Sequence, residues 1–184
     1  LSGKFAGVHP FALSASLTFE QTYSEVEGDS AAVAELAAIL SSLADLPVRQ
    51  WFAVTGSVNQ LGEVQPIGGV NEKIEGFFES CVRRGLTGKQ GVIIPTRNTK
   101  HLALRRDVVE AVESGQFTIY GVNRIEEAIE LLTGVPAGVR GLDGEFAPDT
   151  VYGRAAQRLG ELAQAIAEWS EGEAKSDGRI ITEV

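Results

Sequence analysis

From Ile74 to Thr133 the chain alternates two apolar rhythms, and this alternation limits the possible folds more than any other feature. Ile74, Phe77, Phe78, Cys81 and Val82 recur at helical spacing and stop at Gly85. Gly91 to Ile94 then reads as a short buried strand, ended by Pro95. A helix around Asp107–Ser114 and a strand over Phe117–Val122 follow. After them comes a helix over Arg124–Thr133, with Ile125, Ala128, Ile129 and Leu132 on one face. Strand and helix patterns in alternation predict βα units.

The first part of the chain reads differently. Leu13, Ala15, Leu17 and Phe19 alternate with Ser14, Ser16 and Thr18, which predicts a half-buried strand. Glu20–Gly28 is polar and ends in glycine, as a turn or hairpin would. Val33, Leu36, Ala37, Leu40 and Ala44 predict a helix from Ser30 to Asp45, closed by Pro47. Trp51–Val58 and Glu63–Ile67 read as two strands of a hairpin joined by Asn59-Gln60-Leu61-Gly62. A Gly/Pro-rich linker, Gly134–Pro148, precedes a final helix over Thr150–Ser170, with Tyr152, Ala155, Ala156, Leu159, Leu162, Ala163 and Ile166 along one side. The expected class is a compact α/β domain with early hairpin-like strands, later βα alternation and a long C-terminal helix. It covers residues 1–171 and leaves a loose polar tail over 172–184. There is no internal repeat and no low-complexity block.

Composition narrows the partners. The net charge of −9 leaves no basic stripe for nucleic acid or an anionic membrane surface. Arg83-Arg84 and Arg105-Arg106 are short enough to be solvated helix ends. No apolar run approaches the ~18 residues of a membrane-spanning helix. The N-terminus has no signal-peptide pattern. The single cysteine, Cys81, excludes an internal disulfide, suits a reducing compartment and falls on a helix's apolar face as a packed thiol. Methionine is absent even at position 1, so a processed form or a domain of a longer protein is expected. No His/Cys/Asp/Glu grouping has zinc-like spacing.

Two residues stand where loops turn into helices. Ser30 ends Val26-Glu27-Gly28-Asp29-Ser30, and Lys73 ends Pro66-Ile67-Gly68-Gly69-Val70-Asn71-Glu72-Lys73. A serine hydroxyl becomes a good nucleophile when a neighbouring base takes its proton, and a neutral lysine amine can be that base. Free backbone N–H groups at a helix start can receive an oxyanion. Burial and the start of a helix both disfavour an ammonium, so both would help Lys73 act as a base. The hydroxyl of Thr55 could direct the amine. The same residues also have ordinary readings: Asp29 or Ser30 as a helix N-cap, Lys73 as a solvated side chain, Thr55 as strand chemistry. Position alone leaves these open. A Ser-His-Asp triad would have to use His9 or His101, the only histidines, and both read as exposed.

The wording of these segments adds a further indication. Glu27-Gly28-Asp29-Ser30-Ala31, then Thr55-Gly56-Ser57-Val58, then Gly62–Lys73 with its Pro-Ile-Gly-Gly-x-x-x-Lys run, resembles the proteolytic domain of Lon proteases. Val92-Ile93-Ile94-Pro95-Thr96-Arg97-Asn98 and Val122 with Ile125-Glu126-Glu127-Ala128-Ile129 match later landmarks, so the likeness runs from about residue 7 to residue 170. The resemblance implies a serine endopeptidase acting through an acyl-enzyme on unfolded or loosely folded protein. It implies Ser30 as nucleophile, Lys73 as general base and Thr55 beside the amine, with the main chain around Asp29 and Ser30 forming the oxyanion hole. It also implies a cytoplasmic role in protein quality control and a homo-oligomeric ring, such as a hexamer. Glu27-Gly28-Asp29 before the serine is similar to the archaeal, B-type branch, in which Asp29 could pair with Lys73 in a resting state. No Gly-x-x-x-x-Gly-Lys-Ser/Thr loop is present, so no cofactor is expected in this chain and any ATP dependence would come from an upstream module. The alternative is a Lon-like scaffold domain that forms rings without chemistry. The roles of Trp51 and Trp169 stay open between core and interface.

Overall fold

The computed structural model describes residues 2–5, 14–18 and 28–177. In chain order the elements begin with α1 (Ser2–Phe5), α2 (Ala32–Ala44), β1 (Phe52–Val54), β2 (Ser57–Val58), β3 (Val64–Gln65) and α3 (Val70–Arg84). Then follow β4 (Gly91–Pro95), a 3-10 helix (Thr96–His101), α4 (Arg106–Glu113), β5 (Thr118–Val122), α5 (Ile125–Thr133) and α6 (Val151–Asp177).

The three longer strands form a parallel sheet in the order β1-β4-β5. Phe52 is paired with Gly91, and Gly91 in turn with Thr118. The central strand β4 is buried along its whole length, which explains why its sequence is continuously apolar. Its side chains alternate between two cores. Ile93 joins α2, α5 and α6 on one face, through Val33, Leu40, Ile129, Val151 and Tyr152. Val92 and Ile94 join α3 and α4 on the other, through Ile74, Phe78, Val108 and Phe117. The result is a mixed α/β domain with helices on both faces of the sheet, as the βα rhythm predicts. Phe5 of α1 adds an aromatic contact to Phe146 and Tyr152.

The helix expectations over α2, α3, α4 and α5 hold to within a few residues, and Cys81 is buried. The final helix is longer than expected and continues to Asp177. Two strand expectations are corrected. Trp51–Val58 is not one strand: the ladder breaks at Thr55-Gly56, and β2 instead pairs antiparallel with β3 across the Asn59–Gly62 turn. The cause is that the Gly56 backbone is already engaged, donating to the Ser30 carbonyl at 2.8 Å and accepting from Val33 N–H at 3.1 Å. Residues 14–18 form no strand and are all exposed, with Leu17 at 45 %. Alternation cannot make a strand without a ladder partner for the backbone. Leu13, Phe19 and the turn expected over Glu20–Glu27 lie outside the described residues.

Candidate active site

Ser30 sits in the turn that enters α2, after Gly28 at φ +93°. The turn is tied to the carboxyl end of β1. The Ser30 carbonyl accepts from Gly56 N–H at 2.8 Å and from the Thr55 hydroxyl at 3.1 Å. Gly56 is required here by space: a Cβ would stand 2.9 Å from a Val33 methyl and 3.0 Å from a Val64 methyl. One residue further on, the buried Ser57 hydroxyl donates to the Asp29 carboxylate at 2.6 Å.

Lys73 reaches the same point from the other face of the sheet. It lies in the first turn of α3, which follows Gly69 in the left-handed region at φ +64°. Its Nζ is 2.9 Å from Ser30 Oγ and 3.4 Å from Thr55 Oγ1. The structure therefore brings together Ser30, Lys73 and Thr55, which are far apart in sequence.

This geometry bears on the ordinary readings of Ser30, Asp29 and Thr55. No side chain caps α2, and among the described residues the Ser30 hydroxyl bonds only Lys73. Asp29 is not the cap either, because its carboxylate faces Ser57. Thr55 is buried and holds the Ser30 carbonyl with the same hydroxyl that meets the lysine. The N–H groups of Asp29, Ser30 and Ala31, in the turn that enters α2, have no acceptor among the described residues. The 2.9 Å contact serves either proton direction: an ammonium donates to the hydroxyl, and a neutral amine accepts from it.

Other expectations fare differently. Lys73 is exposed, not buried as anticipated. The cause is its place on the first turn of α3, where Val70 and Ile74 take the buried positions and the lysine faces outward. No Asp29–Lys73 ion pair forms among the described residues. His101 is exposed at the end of the 3-10 helix, and His9 lies outside the described residues. Trp51 is partly exposed beside the cations of Arg49 and Lys89, and Trp169 is 68 % exposed on α6. Among the described residues no group of three or more His, Cys, Asp or Glu side chains could hold a metal, and no helix is long and apolar enough to cross a membrane. Spacing assigned no role to Ser57. Its only sequence signal was its place two residues after Thr55.

Comparison with known proteins agrees with the geometry. The family model for the Lon protease (S16) C-terminal proteolytic domain matches residues 24–134, which include Ser30, Thr55 and Lys73. The chain is 63 % identical over 119 residues to a Lon protease homolog of Escherichia coli (strain K12), covering 65 % of this chain and 20 % of that protein. It is 57 % identical over 121 residues to a Lon protease homolog of Haemophilus influenzae, covering 66 % of this chain and 20 % of that one. An archaeal Lon protease of Pyrococcus abyssi is 42 % identical over 113 residues, which are 61 % of this chain and 10 % of that protein. The chain thus spans a fifth or less of the length of these relatives. The resemblance read from residues 7 to 170 is matched over the narrower stretch that holds the three site residues. On the match over most of its length, this chain belongs to the family of Lon protease C-terminal proteolytic domains.

Proposed function

We propose that this chain is a serine endopeptidase domain in which Ser30 is the nucleophile and Lys73 the general base. The observation that carries the reading is the 2.9 Å contact between Lys73 Nζ and a Ser30 hydroxyl that caps no helix. Neutral Lys73 takes the hydroxyl proton as Ser30 Oγ attacks the peptide carbonyl carbon. The oxyanion that forms is received by backbone N–H groups at Asp29, Ser30 and Ala31. Lys73 then passes its proton to the leaving amine, and an acyl-enzyme remains on Ser30. Water, deprotonated by the same amine, releases the product acid. Thr55 directs Nζ and holds the Ser30 carbonyl through one hydroxyl.

The substrates are unfolded or loosely folded proteins, bound in extended form through main-chain hydrogen bonds. Copies of the chain assemble as a ring in the cytoplasm and serve protein quality control, and ATP acts only through a module outside this chain. Asp29 completes the oxyanion turn with its main chain, and release from Ser57 would let its carboxylate pair with Lys73 in a resting state. The alternative of a scaffold without chemistry gives the Ser30–Lys73 contact no use.

The test is cleavage of an unfolded protein, without ATP, by this chain and by its Ser30→Ala and Lys73→Ala variants. Loss in both variants, with folding preserved, is the expected result. Undiminished cleavage by either variant would refute the dyad.

A further inference from the structure

Asn98 closes the run Pro95-Thr96-Arg97-Asn98, yet the dyad reading gives it nothing to do. It is 5 % exposed, and a buried amide is tolerated when its donors and acceptor are matched. Here Oδ1 accepts the Ile67 N–H at 3.0 Å, and Nδ2 donates to the Ile67 carbonyl at 2.9 Å. The side chain thus treats Ile67 as a neighbouring strand would, at a residue that belongs to no strand.

Ile67 lies just before the start of α3. Gly68 and Gly69 come next, the most pliant pair of backbone units available, so the exit direction of α3 is not set by their own preferences. A second hold lies inside the first turn of α3. Asn71 Oδ1 accepts the Ala103 N–H at 3.0 Å, and its Nδ2 donates to the His101 carbonyl at 3.4 Å. A third lies one turn on, where Glu75 Oε1 accepts the Arg105 N–H at 2.9 Å. Residues 98–105 therefore grip the chain at Ile67, Asn71 and Glu75, on both sides of Lys73. The lysine itself is exposed and is not aimed by packing.

We infer that Asn98 is a positioning residue for the dyad: by pairing both backbone groups of Ile67 it fixes where α3 begins and so places Lys73 on Ser30, with Asn71 as the second hold. The inference rests on the Ser30–Lys73 reading and adds the element that sets its geometry. Asp at this position would keep the acceptor for Ile67 N–H but place a second oxygen against the Ile67 carbonyl. Ala would release both groups.

The experiment measures kcat and KM on a short peptide, and labelling of Ser30 by a fluorophosphonate read by intact mass. The proteins are the unaltered chain and the variants Asn98→Asp, Asn98→Ala, Asn71→Ala, Ser30→Ala and Lys73→Ala, each checked for folding by circular dichroism. A misplaced base costs turnover rather than binding, so kcat for folded Asn98→Asp falls on the order of 100-fold while KM stays within about twofold. Labelling slows by a similar factor, and Asn71→Ala moves both in the same direction. If the Asn98 variants do not fold, Asn71→Ala, on a half-buried site, carries the same test. Folded variants with unchanged kcat, or a change confined to KM, overturn the inference while loss of cleavage in Ser30→Ala and Lys73→Ala keeps the dyad. If those two still cleave, or if the unaltered chain neither cleaves nor is labelled, the dyad reading falls and this inference falls with it.

Discussion

Gly56→Ala tests whether the nucleophile turn is held by the end of β1. The added methyl would stand 2.9 Å from Val33 Cγ2 and 3.0 Å from Val64 Cγ1, short of the 3.4 Å where ordinary contact begins by about 0.5 and 0.4 Å. Neither neighbour yields easily. Val33 is fully buried and Val64 is 5 % exposed, and β-branched side chains have little rotamer freedom. Gly56 does not have a positive φ, so the cost comes from overpacking rather than from backbone strain. Overpacking of this kind costs about 1–3 kcal/mol. For a chain of this size that is a fall of roughly 2–12 °C in Tm. Relief by backbone movement has a second effect, because Gly56 N–H and C=O hold Ser30 and Val33. A shift of half an ångström there would part Ser30 from Lys73, and on the proposed mechanism kcat should drop by about 10- to 100-fold. Urea titration and peptide cleavage measure the two effects on the same samples. In the double variant with Val33→Ala the closest overlap is gone, so the two changes should couple favourably by about 0.5–3 kcal/mol. A Gly56→Ala protein with unchanged stability and turnover, or strict additivity with Val33→Ala, would show that the turn is not pinned in this way.

Two further predictions concern groups away from the dyad. Tyr152 is 1 % exposed, and burial pushes its phenol up to about 12. Since the folded value lies above the ordinary value of about 10, the associated stability is fully present below pH ~10 and is lost as pH rises through about 12. Urea titrations from pH 8 to 12 should show a loss of about 2–3 kcal/mol for the parent and a flatter profile for Tyr152→Phe; equal slopes would refute the assignment. Cys81 is 7 % exposed and burial pushes its thiol up, with Arg84 opposing weakly. Its reaction with a disulfide reagent should therefore wait for unfolding, and rapid labelling of the folded chain would count against a packed thiol.

The elements legible in the sequence are those with one face in a core. Ile74, Phe78 and Cys81 mark α3, and Ile125, Ala128, Ile129 and Leu132 mark α5, because the buried stripe and the apolar period are the same fact. Where tertiary contacts outbid local pattern, the reading failed. Thr55-Gly56 is apolar-flanked and strand-like, but after the Thr55 N–H donates to Ile93 of β4, both backbone groups of Gly56 turn to Ser30 and Val33. Beyond Ser170 the polar residues carry no stripe, yet α6 continues to Asp177. Helix propagates from a formed segment one backbone hydrogen bond at a time, so its end need not coincide with the end of an apolar stripe. For the site, spacing identified Ser30 and Lys73 as residues at helix starts but left capping and solvation open. Contact across the fold shows that Ser30 caps no helix and that the exposed Lys73 reaches its hydroxyl. The exposure of Lys73 agrees with its ordinary reading as a solvated side chain, since its neighbour Ile74 lies on the buried stripe of α3; its contact with Ser30 is what the local pattern does not carry.

The meeting of Ser30 and Lys73 follows from the layering. α2 belongs to the core on one face of the sheet, and α3 to the core on the other. Ser30 and Lys73 stand at the N-termini of these two helices, so they can meet only past the edge of the sheet, beyond the carboxyl end of a strand. That strand is β1, and the residue immediately after it is Thr55, which touches both partners. The next strand, β4, ends at Pro95 and leads into the segment whose Asn98 holds Ile67. Parallel sheets flanked by helices present helix N-termini and loose backbone donors at this edge, which is where such folds place their ligands. A serine on one layer and an amine on the other are joined by hydrogen bonds to strand ends rather than by packing against each other. The meeting of Nζ and Oγ therefore depends on bonds at strand ends, from Thr55 and Gly56 to Ser30 and from Asn98 to Ile67, as well as on the two cores. On the proposed mechanism, loss of those bonds would lower turnover while the cores stay closed, and that is why folding must be measured alongside kcat in each variant.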